Sequence, residues 1–180
     1  MIKNVKADLY RLKHEYGVGN ILAILTNRGF HSLLFYRISH ALHKSHVPLI
    51  PMILTRIVQI FYAVDIDYKA TVHGGIIIIH GVGLVVGQGA VVNSGCTIYH
   101  GVTLGRKGQG IEIKGNDGYP TISSNVVLGA GAKILGNVEV GERSIIGPNC
   151  VVTQSVPSDS VFKFNSTSFS ITPLKLQSTL

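Results

Sequence analysis

From Asp65 onward the apolar positions of the chain recur every six residues. Ile66, Val72 and Ile78 make a first row, Val86, Val92, Ile98 and Leu104 a second, and Ile122, Leu128, Ile134, Val140, Ile146 and Val152 a third. A small or short residue stands two places earlier at Ala90, Cys96, Val126, Ala132, Val138, Ser144 and Cys150. An amphipathic helix repeats at about 3.6 residues and a half-buried strand at about two, so neither generates this period. A β-helix of hexapeptides does: each hexad supplies one flat face and a turn, and three hexads close a coil. The aliphatic residue points inward and stacks on its equivalent one coil away.

Residues 1–64 are patterned differently. An unbroken helical stretch runs from about Phe30 through Leu33, Leu34, Tyr36, Arg37 and Ile38 and leaves by "LHKSH" before Pro48. Proline suits a first helical turn, so a second helix begins near Pro48 or Pro51 and carries Met52, Leu54, Ile57, Ile60 and Phe61. The predicted architecture is mainly β: a parallel β-helix over 65–156, a short N-terminal α-helical segment over 1–64, and a C-terminal tail over 157–180.

Two breaks in phase stand out. Ile78 and Val86 are eight apart instead of six, and the two extra residues follow His80 in "IHGVGLV". Between Leu104 and Ile122 the apolar row gives way to "GRKGQGIEIKGNDGYPT", a polar, glycine-rich loop over 105–121 extruded from the coil. Long loops on a rigid scaffold often carry function.

Composition narrows the classes. The 180 residues include 21 glycines, which fits many tight turns between apolar runs. There are 16 Lys and Arg against 9 Asp and Glu, and eight of the bases precede Asp65 beside only Asp8 and Glu15. That basic helical segment is either solvated surface or a contact for an anionic partner. No dense basic run with interleaved aromatics argues for nucleic acid. Cys96 and Cys150 make neither a disulfide framework nor a zinc motif, and both share the small-residue phase of the coil. The start lacks the apolar core of a secretory signal, and Arg56, Gln59 and two prolines interrupt the apolar stretch 47–64. The expectation is a cytoplasmic protein, with peripheral membrane contact possible through that stretch.

His80 stands where the repeat breaks, two places after Ile78. His100 has the same relation to Ile98, so both belong on one corner of the prism once the two extra residues are counted. An arbitrary histidine is most often a surface or structural residue, but a carboxylate from Asp65 or Asp67 can fix an imidazole's tautomer and leave it a general base for a hydroxyl. A turn or cap acceptor is the competing role for Asp65. His73, His80 and His100 contributed by neighbouring subunits are a conceivable zinc site, yet their spacing matches no compact ligand motif, and no metal is expected. Arg106, Lys107, Lys133 and Arg143 suit a phosphate-bearing ligand lying along the prism. Walker and dinucleotide fingerprints are absent from the sequence.

These segments resemble the serine acetyltransferase family of left-handed β-helix acyltransferases. The likeness lies in "GFHSLLFYRISHAL" (29–42), "VDIDYKATV" (64–72), "HGVGLVVGQGAVV" (80–92), "VTLG" (102–105) and "LGAGAKILGNVEVGERSIIGPNCVV" (128–152). The resemblance implies a left-handed coil and transfer of acetyl from acetyl-CoA to the hydroxyl of L-serine. His80 corresponds to the catalytic base and Asp65 to its partner. CoA would lie near Gly105, Ala130, Lys133 and Arg143, with Arg106 and Lys107 on the loop. The resemblance also implies a homotrimer, single or paired, with sites between neighbouring prisms.

Departures from the family set the acceptor expectation. Ile79 stands where the family has an aspartate that holds the serine amino group. Gly118 and Tyr119 of "DGYP" replace the arginine and histidine of its "DRHP". The acceptor-facing set is then Ile79, His100, Asp117 and Tyr119. With hydroxyl activation kept and the grip on a zwitterion weakened, the expected acceptor is a sugar or surface-polysaccharide hydroxyl, with L-serine as the alternative. A non-catalytic scaffold and a metal-dependent hydrolase are the competing classes.

Overall fold

The computed structural model describes residues 1–107 and 118–164. Four helices come first: α1 (Ile2–Tyr16), α2 (Asn20–Thr26), α3 (Arg28–Lys44) and α4 (Ile50–Tyr62). Two of them are the helices expected around Phe30 and Pro51. α1 and α2 were not delimited by the sequence pattern. The Asn27 side chain caps α3 by accepting the Phe30 N–H at 2.8 Å, and Pro51 lies in the first turn of α4.

Among the described residues, fourteen short strands then wind into a three-faced prism, all pairs parallel. Face 1 stacks β1 (Val64–Ile66), β4 (Leu84–Val86), β7 (Thr103–Gly105), β10 (Lys133–Leu135) and β13 (Val151–Val152). Face 2 stacks β2 (Thr71–Val72), β5 (Val91–Val92), β8 (Thr121–Ile122) and β11 (Glu139–Val140). Face 3 stacks β3 (Ile77–Ile79), β6 (Thr97–Tyr99), β9 (Val127–Leu128), β12 (Ile145–Ile146) and β14 (Val161–Phe162). This is the parallel β-helix implied by the repeat, with the left hand implied by the family resemblance.

The register follows the hexads. On face 3, Ile78 lies over Ile98 and Ile98 over Leu128, so neither the extra residues after His80 nor the extruded loop shifts the stack. Ile66, Val72, Ile78 and every later member of the three rows are buried, as are the short residues two places before them. Each coil thus buries its apolar row against its neighbours, and stability accumulates from rung to rung.

An open coil end exposes unpaired strand edges. Here the helices cover them. Tyr36 of α3 donates to the Ala70 carbonyl at 2.7 Å and accepts the Val72 N–H at 3.0 Å. Arg37 donates to the carbonyls of Val72 and His73 at 3.1 and 2.8 Å and forms a buried double hydrogen bond with Asp8 of α1. Asp8 in turn accepts the Ile76 N–H at 2.9 Å. Burial pushes the Asp8 carboxyl up, and Arg37 opposes the shift. Arg11 reaches the Gly75 and Cys96 carbonyls at 2.9 and 2.8 Å. Gly29 allows this close docking, because a Cβ there would sit 2.3 Å from the Ile78 carbonyl oxygen.

Candidate active site

The corner joining face 3 to face 1 carries the predicted His80, His100 and Ala130. Its successive levels are His80–Gly83, His100–Val102, Gly129–Gly131 and Gly147–Asn149. Hydrogen bonds run up it: Gly101 N–H to Val82 O at 2.9 Å, Gly131 N–H to His100 O at 2.9 Å, and Asn149 N–H to Ala130 O at 2.8 Å. The first level differs from the rest. His80 has a φ of 63°, in the left-handed region that the later levels of this corner fill with Gly101, Gly131 and Asn149. Gly81 donates back to the Ile79 carbonyl at 2.8 Å, and Gly83 donates to the Ala63 carbonyl at 2.8 Å. The two added residues therefore arch over the start of face 1 with His80 at the shoulder of the arch.

His80 and His100 are both exposed, and their rings meet edge to face with centroids 5.8 Å apart. The inferred shared corner is correct. Asp65 lies on β1, on the face that this corner opens. Its register partner is Val85, and the outward row continues through Thr103 and Lys133 to Val151. The turn-acceptor role falls to Asp67, whose carboxylate accepts the Lys69 N–H at 2.8 Å, and not to Asp65.

The cofactor candidates divide among three corners. Ala130 stands on the His80 corner, and the Lys133 ammonium donates to the Gly101 carbonyl beside His100. Gly105 ends β7 on face 1, and Arg106 and Lys107 follow at the corner toward face 2. Arg143 lies at the corner between faces 2 and 3, with hydrogen bonds of 2.6 and 2.7 Å to Asp159 and a 3.0 Å contact to Glu142. Those acids favour its charged form, and it holds the Asp159 carboxyl below the ordinary carboxylate range.

The acceptor candidates are spread as well. Ile79 is half-buried and packs with the cluster of Leu12, Ala23, Phe30 and Ile77 under the helices. Tyr119 packs on the turn between faces 1 and 2, where a Cβ on Gly87 or Gly89 would lie 2.3 or 2.4 Å from its ring. It does not share the His80 corner of its own prism. Asp117 and most of the extruded loop lie outside the described residues. Among the described residues no group of three or more His, Cys, Asp or Glu is arranged to hold a metal. Cys96 and Cys150 are both buried, and burial raises the Cys96 thiol to about 11, which argues against an acyl-cysteine. Sequence reasoning did not single out Thr103, the neighbour of Lys133 on the outward row, or the Gly101 carbonyl; neither carries a signal apart from the coil register.

The bacterial transferase hexapeptide pattern (six repeats) matches residues 119–154. The chain is 40% identical to the serine acetyltransferase of Helicobacter pylori over 137 residues, which are 76% of this chain and 78% of that protein. This chain belongs to the serine acetyltransferase family. It is also 41% identical over 162 residues to the Synechococcus elongatus serine acetyltransferase, covering 88% of this chain and 64% of that one. The chain thus spans somewhat under two thirds of this relative. Among solved structures, Neisseria gonorrhoeae serine acetyltransferase in complex with serine superposes with a TM-score of 0.81 at 32% identity, over 89% of this chain and 65% of that one. The coenzyme A complex of Brucella abortus serine acetyltransferase gives 0.80 at 32% identity, over 89% and 63%.

These relatives correct the expected acceptor. Family members 37–41% identical over most of the chain are serine acetyltransferases, and they overturn the sugar or polysaccharide reading. Packing explains why Ile79 and Tyr119 misled. Ile79 is apolar where the helices dock on face 3, and Tyr119 fills the space over two glycines. A residue type that packing already requires does not by itself discriminate between one hydroxyl acceptor and another. No helix of the described residues is long and apolar enough to cross a membrane.

Proposed function

We propose that the chain is a serine O-acetyltransferase, taking acetyl from acetyl-CoA and giving O-acetyl-L-serine and CoA. The observation that carries this reading is the exposed His80 on its left-handed arch at the edge of face 1, the face that bears Asp65, in a chain 40% identical to a serine acetyltransferase over 78% of that protein's length. His80 accepts the serine hydroxyl proton, and Asp65 orients the imidazole. The alkoxide attacks the thioester carbonyl, the C–S bond breaks, and His80 returns the proton to the departing thiolate. Acetyl-CoA supplies the activated acyl group. Both substrates are present together, and no covalent enzyme intermediate forms.

The cofactor set we assign is Gly105, Arg106, Lys107, Ala130 and Lys133, spread over face 1 and its two corners. Arg143 is left out, since its charge is engaged by Asp159 and Glu142 at the third corner. A homotrimer fits this arrangement, because Tyr119 sits across face 1 from His80 and meets that corner only from a neighbouring prism. His100 and Tyr119 then line the serine site, with Asp117 following from the family pattern. Residues 1–64 act as cap and the catalytic prism begins at 65, continuing past the expected boundary at 156 into β14 (Val161–Phe162); the rest of the expected tail, 165–180, lies outside the described residues. A cytoplasmic location is in keeping with the use of acetyl-CoA. The test is steady-state release of CoA thiol from acetyl-CoA with and without L-serine, and the product identified by mass. Serine-dependent thiol release is expected. Protein that binds CoA but gives no O-acetylserine would sink the proposal.

A further inference from the structure

Among the described residues, the helical cap leaves apolar side chains of α2 and α4 exposed. On α2, Ile21 is 76% exposed and Leu25 70%; on α4, Ile53 is 50%, Ile60 79% and Phe61 75%. His31 joins the two helices: its Nε2 donates to the Ile24 carbonyl at 2.7 Å, so its Nδ1 accepts from the Tyr62 hydroxyl at 3.1 Å. His31 of α3 thus ties the end of α2 to the end of α4, with the exposed Leu25 next to one anchor of that link and the exposed Ile60 and Phe61 next to the other. An apolar area of this kind on a folded protein marks a binding surface.

Its electrical setting is one-sided. No acid occurs between Glu15 and Asp65, whereas Arg28, Lys44 and Arg56 in that interval are all exposed. The segment 1–64 holds eight Lys and Arg against two acids. On α4 the exposed Arg56 stands at helical spacing between Ile53 and Ile60, so a second copy packed face to face there would set like charges against one another. An anionic lipid surface accepts both features: headgroups neutralise the bases, and the apolar side chains enter the headgroup–acyl boundary.

We infer that the α2–α4 surface is a peripheral docking site for anionic membranes. The helices lie on the bilayer and do not span it, in keeping with their lengths. Docking also brings the His80 corner to the membrane boundary, because α4 runs into Ala63, whose carbonyl accepts the Gly83 N–H of the arch.

The test uses the full assembled protein, mixed with vesicles of phosphatidylglycerol and phosphatidylcholine or of phosphatidylcholine alone, and reads binding by flotation. Partitioning to the anionic vesicles is expected to be at least about tenfold stronger than to the neutral ones and to weaken as NaCl is raised. Ile60→Ser with Phe61→Ser, both exposed and so compatible with folding, is expected to lower it at least about tenfold. Arg28→Gln with Arg56→Gln should bring anionic binding down toward the neutral level while leaving the melting temperature unchanged. Wild-type protein that ignores anionic vesicles overturns the inference. So does unchanged partitioning of the Ile60/Phe61 variant. Loss of a higher oligomer in that variant by sedimentation, with no vesicle binding by the wild type, would assign the surface to a second copy instead.

Discussion

His80 projects from a turn in which the chain has spent two extra residues and a left-handed φ on a non-glycine. Such strain costs about 1–3 kcal/mol and persists where the surroundings enforce it. Here the arch is enforced by the Gly83 bond to Ala63 and the Gly101 bond to Val82. The buried cysteines offer a clean control. With its thiol raised to about 11 by burial, Cys96 is expected to resist iodoacetamide at pH 7–8, and Cys96→Ala should keep serine turnover within about twofold. Abolished turnover in a folded Cys96→Ala would argue for an acyl-enzyme. Tyr119 is open to an indirect test through Gly89→Ala, whose Cβ would press on the ring. If Tyr119 lines the serine site of a neighbouring prism, the variant raises the KM for serine and spares kcat. A changed melting temperature with KM intact would make the tyrosine structural only.

At the level of elements, the charged groups on different corners should behave differently. Lys133→Ala is expected to raise the KM for acetyl-CoA about tenfold, the scale of one charge-assisted hydrogen bond, whereas Arg143→Gln should leave it within about twofold. Equal effects would return Arg143 to the cofactor set. The Arg143–Asp159 pair also fixes a pH window. Asp159 titrates below the ordinary carboxylate value when folded, so any stability it adds is present above about pH 4 and is lost as pH falls through its lowered folded value. Arg143→Gln should move the Asp159 titration, followed by carboxyl carbon NMR, back up toward that ordinary value. An unmoved titration would remove the pair from the account.

Across the whole molecule, the hexad rows made the prism legible before any coordinates: a period of six admits few folds, and burial along Ile78, Ile98 and Leu128 follows it without a slip. The corner shared by His80 and His100 was legible for the same reason, since counting residues around a coil is counting angle. The cap was not. Asp8, Arg37 and Ile76 meet across long sequence separations, and no local period records a buried pair that closes a strand edge. The acceptor was misread because Ile79 and Tyr119 answer to packing with helices and glycines that are distant in sequence. Interior rungs should be the costly ones. Ile134→Ala removes a fully buried side chain between two coils and is expected to lower stability by about 2–5 kcal/mol, read by urea unfolding. A loss below about 1 kcal/mol would contradict rung-to-rung stacking as the source of stability.

The central claim is that His80 is the base for serine acetylation. It is tested most directly by comparing wild type and His80→Ala for L-serine turnover, with CoA affinity measured on the same samples. Unchanged CoA binding with kcat lowered about 10²- to 10⁴-fold is the predicted result. Near-normal serine turnover by folded His80→Ala protein would contradict it.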